Sequence, residues 1–575
     1  MVSDALPRPV DADPWAGWLR RMALFQLAAL AIVTAFILGK GNDDLPYYYF
    51  LTQDLPLLAA GGLALFGFAR VRHVRGVAGL TRGRAAALAV GAGLLAYAGS
   101  WLVLHRYAVS RDEQMADFAA AYLASGHMGQ AIPPDLIPLA KAMMPVFTNV
   151  YPATGYWVSD YLPGNSAIRA IAMLTGDSWL ASPVLLAIGL LALWSAARRI
   201  WPERPEAATV ALVLAATSTQ ALVTAMSPFA MTAHLAINAL WLACFVRQER
   251  RWHWAAAGLT VVAIGLHQVH FHLIFLSGFL IATALRRDWR MLAILLTGAV
   301  AGYIVWQIGW RDLIPRLFDP VQAAQATGQV AERAAGEITG RLVRILRQDM
   351  LRHLARFVAW QNVLLAPLAA IGIVAAWRTA HPALRGGAIS CAIALLVLPE
   401  QEHGFGYRYL HGMIGPFCLL AAQGWLALEA KRGRPLPRAA LWGSTAFALV
   451  VTLPYASWRS MAYAAPYEAA YRAVRAVDAD VVLIDTSHQT YISDIVRFDP
   501  AAGPSQRPVL ADLAYVPADA LARLCATRSV VVVTDRDLQR FDLPPFGYAF
   551  DKRRPTNARL AEMRRMGCGR PLPRG

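Results

Sequence analysis

Two adjacent acidic residues, Asp112 and Glu113, begin the first long polar stretch of this chain, residues 105–176. A carboxylate within hydrogen-bond reach of a hydroxyl or an amine can act as a general base and take its proton. The same pair fits a structural role, because Ser110 and Glu113 have the spacing of a capping box at the start of the segment DEQMADFAAAYLA. The local sequence leaves both the general base and the helix cap open. The two are compatible, because a cap would also fix the position of the Asp112 carboxylate. We carry Asp112 forward as the candidate base and Glu113 as its supporting neighbour.

Three histidines, His267, His270 and His272, occupy a predicted turn between two apolar segments. His267 and His270 could share one helical face, whereas His272 would point elsewhere. A metal site needs three or four converging ligands, and no partner carboxylate can be identified for these histidines. The sequence therefore indicates neither a metal nor a cofactor. His267 and His270 are candidates for hydrogen bonding to a substrate, with ordinary polar packing as the alternative.

Arg408 lies between Tyr407 and Tyr409 in the segment GFGYRYLHG. A guanidinium group can bind phosphate oxygens bidentately and can stabilise the charge that develops on a leaving group. The alternative is an arginine in an aromatic belt at a membrane surface, and the sequence favours neither. All three residues are candidates for substrate binding.

The segment GRLVRILRQDMLRHLARF predicts a basic amphipathic helix that carries Arg341, Arg344, Arg347, Arg352 and Arg356. Such helices lie on membrane surfaces and bind anionic headgroups without specificity. A dedicated site for a phosphate-bearing lipid, with Arg341 and Arg344 as ligands, is the more specific alternative.

The composition of the chain decides what surrounds these residues. Of 575 residues, 57% are hydrophobic and only 16% are charged, and the mean hydropathy is +0.40. These values are typical of a polytopic membrane protein. The net charge of +17 comes largely from short basic clusters between apolar segments, which argues against binding to nucleic acid.

Apolar segments can be counted as spans, because a bilayer core takes roughly 20 residues of helix. About thirteen helices are predicted, and the two between residues 253 and 285 look short. The predicted spans are residues 22–39, 54–70, 85–104, 178–197, 206–224, 229–246, 253–266, 271–285, 291–309, 357–377, 384–398, 412–428 and 439–456.

Every second connection between these spans is basic, which predicts that all of the basic connections are cytoplasmic. The alternate connections, residues 105–176, 310–356 and 399–411, then lie on the outer side together with everything after residue 457. The first apolar segment has no small-residue cleavage site, so we expect it to stay as an uncleaved helix.

The tail of the chain changes character after residue 457. VVLID (481–485) and SVVVVTD (529–535) predict buried strands, and PADALARLCA between them predicts a helix. We expect a small, accessory α/β domain outside the membrane that could bind an acceptor. The five cysteines show no CxxC pair and indicate neither a zinc site nor a disulfide framework.

Four segments in this order resemble the GT-C superfamily of polyprenyl-phosphate-dependent glycosyltransferases, which includes protein mannosyltransferases and aminoarabinose transferases. The resemblance covers about residues 105–456 and is carried by RDEQMADFAAAYLASGHM, YLPGNSAIRAIAML, MSPFAMTAHLAINALWLACFVR and GFGYRYLHGMIGP. Carried over, it implies that Asp112 is the base, that Glu113 is its neighbour and that transfer inverts the sugar carbon. Tyr161 falls within the segment that corresponds to the family's Tyr-Pro-Pro-Gly, which reads YLPG here. Two extra spans before the acidic loop and a long insert around residues 133–157 depart from the family pattern.

The expected protein is thus an α-helical, GT-C-like membrane protein with a small C-terminal α/β domain. The predicted parts are an N-terminal segment with three spans (1–104), an outer loop (105–177), the remaining membrane core (178–456) and the α/β domain (457–575). The resemblance implies sugar transfer from a polyprenyl phosphate to an envelope lipid, glycan or protein on the periplasmic side of a bacterial inner membrane. The alternatives are a transporter or flippase of lipid-linked saccharides, which usually shows repeated halves that are absent here, and a non-catalytic assembly protein.

Overall fold

The computed structural model describes residues 14–40, 44–70, 76–319, 350–379, 381–398, 401, 404–433, 437–500, 506–544 and 550–573. Helices dominate, and a small sheet stands in the outer loop and another in the C-terminal part. The main helices, some of which include a π-helical or 3-10 turn, are α1 (Pro14–Lys40), α2 (Leu45–Phe68), α3 (Arg82–Leu102), α4 (Arg111–Ala124), α5 (Gly164–Leu174), α6 (Ala181–Ile200), α7 (Pro205–Ala216), α8 (Thr219–Ala225), α9 (Met231–Phe245), α10 (Arg250–Ile264), α11 (Val269–Leu285), α12 (Trp289–Phe318), α13 (Met350–Ala359), α14 (Leu365–Ala376), α15 (Pro382–Val397), α16 (Arg408–Arg432), α17 (Arg438–Arg475), α18 (Ala518–Thr527) and α19 (Phe550–Arg565).

Eleven of the thirteen predicted spans each coincide with one helix. The predicted span 206–224 instead covers α7 and α8, and the predicted span 357–377 covers the end of α13, a break at residues 360–364 and α14. Within the described ranges, seven helices are long and apolar enough to cross a membrane, and α7 with α8, bent by 52°, would make an eighth. Four shorter apolar helices, α9, α11, α14 and α15, add to them. As predicted, α10 and α11 are short, with 15 and 17 residues. The chain is a multi-pass membrane protein.

Glycines allow the membrane helices to approach closely where α14 crosses α16. A Cβ atom on Gly372 would overlap the carbonyl oxygen of Leu420, and one on Gly424 would overlap that of Leu368. Small residues at such crossings let backbones pack without intervening side chains. This contact fixes α16, the helix that begins with Arg408.

Three of the basic connections meet on one side of the helical bundle. The Leu80 amide donates to the Thr209 hydroxyl at 2.9 Å, Gly76 forms a β-bridge with Pro437, and Arg204 pairs with Glu429 at 2.5 Å. The outer loop and the C-terminal part instead contact each other, through α4 and residues 493–497. These contacts agree with the predicted alternation of the connections.

The outer loop folds around α4, α5 and a three-stranded antiparallel sheet of β1 (Gln130–Ala131), β2 (Thr148–Tyr151) and β3 (Tyr156–Ser159), in the order β1–β3–β2. Helices α4 and α5 are joined by an ion pair between Arg169 Nε and Asp117 at 2.8 Å. The insert at residues 133–157, which departs from the family pattern, packs into this loop. There the fully buried Trp157 donates its indole N–H to the Ala140 carbonyl at 3.0 Å. The loop is therefore a packed unit that holds α4 in place.

The C-terminal part contains the predicted strands as β4 (Val481–Ile484) and β6 (Val530–Val533), and the predicted helix as α18. Two further strands were not predicted, β5 (Val509–Asp512) and β7 (Arg570–Pro571). The four strands are parallel, in the order β5–β4–β6–β7, which confirms a small α/β region.

A disulfide bond joins Cys525 and Cys568 in this α/β region, although the sequence analysis indicated none. The two cysteines are 43 residues apart, and only the fold brings them together. Cys244, Cys391 and Cys418 are free and buried.

Candidate active site

Helix α4 begins with the capping box that the sequence suggested. The Ser110 hydroxyl accepts from the Glu113 amide at 3.5 Å, and one Glu113 carboxylate oxygen accepts from the Ser110 amide at 2.8 Å. The cap occupies Glu113, whose side chain is buried, and leaves the neighbouring carboxylate of Asp112 free to face away. The capping interpretation is therefore confirmed for Glu113, whereas Asp112 reaches other partners and stays a predicted base.

Asp112 contacts two residues that the sequence analysis named as candidates. Arg408 Nη1 lies 2.5 Å from Asp112 Oδ2, and the Tyr161 hydroxyl donates to Asp112 Oδ1. The side chains of Arg408 and Asp112 are only 7% and 12% exposed, so water screens the pair weakly. Two residues from distant parts of the sequence thus converge on the carboxylate of Asp112.

Backbone hydrogen bonds attach the YLPG segment to the turn between α10 and α11. The Leu162 amide donates to the His267 carbonyl at 3.1 Å, and the Gly164 amide donates to the Gly265 carbonyl at 2.8 Å. A Cβ atom on Gly164 would lie 2.6 Å from the Gly265 oxygen, so this approach requires glycine. The contact places the Tyr161 ring 4.0 Å from the His267 ring, in a stacked arrangement. His267 thereby joins the site as a neighbour of Tyr161 and Asp112.

The turn that precedes α16 holds Arg408 in place. Its backbone amide donates to Gln401 Oε1 at 2.6 Å, and its guanidinium carbon lies 4.6 Å from the Phe229 ring and 5.3 Å from the Tyr409 ring. Gly404, with φ +117°, packs against the arginine side chain in a conformation that favours glycine. The aromatic rings and the turn leave the guanidinium directed at Asp112.

The charges around Asp112 determine its protonation. Burial by itself would raise the pKa of the carboxyl, but Arg408 above all, and with it His267 and the Tyr161 hydroxyl, outweigh burial and lower the pKa below its usual range. Burial lowers the pKa of His267 to about 4, against the opposing effect of Asp112. Burial and the adjacent carboxylate raise the pKa of the Tyr161 hydroxyl well above its usual range. At neutral pH the site therefore holds a carboxylate, a neutral imidazole and a phenol that donates.

The other candidates pack against aromatic and imidazole rings. The Tyr407 ring stacks on His353 at 4.8 Å, and its carbonyl accepts from Gln220 Nε2 at 2.9 Å. His270 packs against Phe271 at 4.3 Å between ring centroids. Tyr409, also packed on Phe271 at 5.5 Å, lies next to the Arg408 guanidinium.

Where the structure describes the basic helix, as α13, two of its arginines face protein groups and not lipid headgroups. Arg352 and Arg356 are 3% and 1% exposed, and Arg352 Nη1 pairs with Asp44 at 2.9 Å. Arg356 Nη2 donates to the Gly404 carbonyl at 2.6 Å. The surface interpretation is wrong for these two residues, because their partners are protein groups. Arg341, Arg344 and Arg347 lie outside the described residues.

Sequence reasoning missed two residues that support the site. Arg356 bonds to Gly404, the same glycine that packs on Arg408, and Arg111 precedes Asp112 in α4 with 2% exposure. Arg352 and Arg356 are four residues apart and so lie on one face of the helix. A search of the sequence for carboxylates that could pair with them, such as Asp44 and Asp54, would have indicated that these two arginines are buried. Among the residues that the structure describes, no three His, Cys, Asp or Glu side chains form a group that could hold a metal ion.

Comparison with known proteins gives a likeness in structure alone. No protein family profile and no curated protein matches the sequence. The fold is similar to ArnT from Cupriavidus metallidurans bound to undecaprenyl phosphate, with a TM-score of 0.51, 14% identity, and coverage of 81% of this chain and 96% of that one. The apo state of ArnT gives a TM-score of 0.51 and 12% identity over 80% and 94% of the two chains.

A third solved structure, the oligosaccharyltransferase of Archaeoglobus fulgidus tethered with an acceptor peptide, covers 72% of this chain and 64% of that chain at 13% identity. Its TM-score of 0.38 is too low to carry an argument. ArnT is an aminoarabinose transferase of the GT-C class. The sequence resemblance is thus matched in three dimensions, and this chain has the GT-C fold.

Proposed function

We propose that this protein is a membrane glycosyltransferase that moves a sugar from a polyprenyl phosphate to a lipid, glycan or protein of the cell envelope. The observation that carries the proposal is the convergence of Asp112, Arg408 and Tyr161 at the start of α4, where an apolar bundle meets a folded outer loop. The GT-C fold and the undecaprenyl phosphate in the ArnT structure support it.

In the proposed reaction Asp112 is the general base. An acceptor hydroxyl or amine attacks the anomeric carbon of the sugar, and its proton passes to the Asp112 carboxylate as the new bond forms. The bond between that carbon and the phosphate oxygen breaks, and its electron pair stays on the phosphate. Arg408 stabilises this charge, as a guanidinium group in a poorly solvated site does effectively.

Several further residues support the reaction in this proposal. Tyr161, which stacks on His267, holds Asp112 through a hydrogen bond to Oδ1, while Arg408 contacts Oδ2. Arg356 adds a second buried guanidinium near Arg408 for the phosphate. His270, Tyr407 and Tyr409 would shape the surrounding pocket, and Arg341 and Arg344 stay predicted ligands of the lipid.

We infer that the reaction takes place on the periplasmic side of a bacterial inner membrane. Basic connections favour the cytoplasm, and the site lies with the alternate, less basic connections. The disulfide bond between Cys525 and Cys568 supports an oxidising compartment for the C-terminal part, because such bonds are rare in the cytosol.

The test is a transfer assay with purified protein in lipid nanodiscs. Radiolabelled polyprenyl-phosphate sugars, prepared as a mixed pool from bacterial membranes, are supplied with envelope lipid, glycan and protein fractions. We expect label to move covalently into one fraction with the natural protein and not with Asp112→Asn. A parallel reaction with EDTA tests whether a divalent metal is needed, which the sequence leaves open.

Two outcomes would contradict the proposal. If fluorescent polyprenyl phosphate crossed liposome membranes that contain the protein, and no covalent product formed from any donor, the protein would be a transporter. If Asp112→Asn transferred sugar at the natural rate, the assigned base would be wrong although the protein would remain an enzyme.

A further inference from the structure

The segment after β4 in the C-terminal domain packs directly beneath the start of α4. We propose that residues 493–498, named here the clamp segment, position the helix that carries Asp112, so that the C-terminal domain is part of the catalytic machinery rather than an accessory. The inference rests on the proposed function, because it concerns the placement of the proposed base.

Arg111 makes the central contact between the clamp segment and α4. Its Nη2 atom donates to two carbonyls of the clamp segment, those of Ser493 and Val496, each at 2.5 Å. Its Nε atom lies 3.9 Å from the Asp494 carboxylate, and the arginine is 2% exposed. A buried guanidinium bound in this way cannot move without leaving its charge unpaired. Because Asp112 is the next residue, its backbone is held by the same contact.

Gln114 fixes the helix from the other side of Asp112. Its Nε2 atom donates to the Asp494 carbonyl at 2.8 Å, and the residue is 6% exposed. The base thus stands between two side chains that both bind the clamp segment. Within the first turn of α4, only a small tilt could occur without breaking one of these bonds.

The clamp segment is itself attached to the chain on either side of α4. Arg497 Nη2 donates to the Tyr107 hydroxyl at 2.5 Å, and its guanidinium carbon lies 4.5 Å from the Tyr471 ring on α17. The Phe498 ring packs on Trp157 in the outer-loop sheet, with 5.0 Å between ring centroids. The segment therefore connects the last membrane helix, the approach to α4 and the outer-loop sheet.

This arrangement explains how Asp112 keeps its 2.5 Å contact with Arg408, a residue on a different helix. Small displacements of a catalytic group from its productive geometry can cost about a hundredfold in rate. If the clamp segment releases α4, Asp112 moves away from Arg408 and loses the charge that favours its ionised form. Loss of the clamp should then appear in the pH profile as well as in the rate.

The experiment compares Arg111→Ala and Arg111→Lys with Arg559→Ala in the full-length protein. Arg559 is the matched control, because its Nε atom donates to the Val516 carbonyl at 2.7 Å inside the C-terminal domain, away from α4. Each variant is assayed for kcat, for KM toward the donor and for the pH dependence of kcat, and hydrogen exchange is measured over residues 112–122.

We expect Arg111→Ala to lower kcat by about a hundredfold, to move the acidic limb of its pH profile to higher pH and to increase exchange in α4. Arg111→Lys should restore part of the rate, because an ammonium group can still donate to one of the two carbonyls. Arg559→Ala should leave the acidic limb in place.

Two results would overturn the positioning role. One is an Arg111→Ala protein with the natural kcat and pH profile. The other is an equal loss of kcat in Arg111→Ala and Arg559→Ala with no movement of the acidic limb, which would mean that Arg111 only stabilises the domain. Failure of the proposed base can be distinguished from failure of this positioning role. It would appear as full activity in the Asp112→Asn variant, in which Arg111 is unchanged.

Discussion

Arg408 Nη1 lies 2.5 Å from Asp112 Oδ2, and both side chains are largely buried. Each group compensates the charge of the other, so a phosphate that binds Arg408 has to compete with Asp112. In the proposed reaction this competition is useful, because a donor that draws the guanidinium toward its phosphate frees the carboxylate to accept a proton.

Replacement of the base should abolish most of the transfer. We expect Asp112→Asn to lower kcat by about 10² to 10⁴, the usual contribution of a general base. Asp160→Asn is the matched control, because Asp160 is an exposed carboxylate that directly precedes Tyr161. Transfer is measured with radiolabelled donor, and gel filtration checks that both variants fold. A similar loss in the two variants would argue against a specific role for Asp112.

Removal of the positive charge should change the pH dependence. In Arg408→Gln the pKa of Asp112 should rise, because the guanidinium that lowers it is lost, and the acidic limb of kcat should move to higher pH because the base must be ionised. Arg408→Lys should keep the limb nearer its natural position. Arg106→Gln, which breaks a pair with Asp177 elsewhere on the same side, should not move it. An unchanged limb in Arg408→Gln would mean that Asp112 does not limit the rate at low pH.

The Tyr161 hydroxyl can be removed without its ring. Tyr161→Phe keeps the stack on His267 and loses the hydrogen bond to Asp112. A bond to a charged group contributes about 1.5 to 3 kcal/mol, so kcat should fall roughly tenfold to a hundredfold. Tyr156→Phe, in β3, serves as the control because its ring packs on Phe318 instead. Equal rates in the two variants would remove Tyr161 from the mechanism.

Glu113 should affect stability and not catalysis. Burial, opposed by hydrogen bonds from Ser110, raises the pKa of Glu113 to about 7 in the folded protein, against 4.5 in an unfolded chain. The folded state therefore binds the proton more tightly, and stability falls as pH rises from about 4.5 to 7 by roughly 3 kcal/mol.

Glu113→Gln should reduce that slope in thermal unfolding scans, since an amide has no proton to lose. Its kcat should fall by much less than the factor of about 100 expected for a lost base. A loss of activity equal to that of Asp112→Asn would show that both carboxyl groups take part in the reaction.

The disulfide bond should stabilise the C-terminal domain. It closes a loop of 43 residues, for which chain entropy gives about 4 kcal/mol. The double variant Cys525→Ser with Cys568→Ser should unfold at lower denaturant concentration, as measured by limited proteolysis, whereas Cys244→Ser in the membrane core should not. Mass spectrometry of protein taken from intact membranes should find the two cysteines linked, and free thiols at both positions would contradict the assignment to an oxidising compartment.

The helices and their alternation could be predicted from the sequence because apolar length and basic connections are local properties. The approach of Arg408 to Asp112 could not, since it depends on how α16 packs against α14 and how the outer loop folds back. Only the resemblance to a family placed the two residues in one site. The cap of Glu113 was visible in four consecutive residues, so the sequence alone identified it.

The errors have physical causes as well. A helix with a basic face has the same sequence pattern whether that face meets lipid headgroups or a carboxylate of the protein such as Asp44, so Arg352 was assigned to the surface. Strand β5 is as long as β4 and β6, but its sequence VLAD is not a continuous apolar run, and β7 has only two residues, which is too little for a pattern. Contacts such as that of Arg111 with the clamp segment join parts of the chain that carry no shared motif.

Helix α17 runs from Arg438 to Arg475, 38 residues in all, and so reaches from the membrane into the C-terminal domain. At about 1.5 Å per residue such a rod is nearly 60 Å long. A continuous helix therefore connects the membrane core to the C-terminal domain in place of a flexible linker. A small tilt of this helix inside the bilayer would displace its outer end by a larger distance. Because Arg497 of the clamp segment packs on Tyr471 of the same helix, such a tilt would be transmitted to the start of α4.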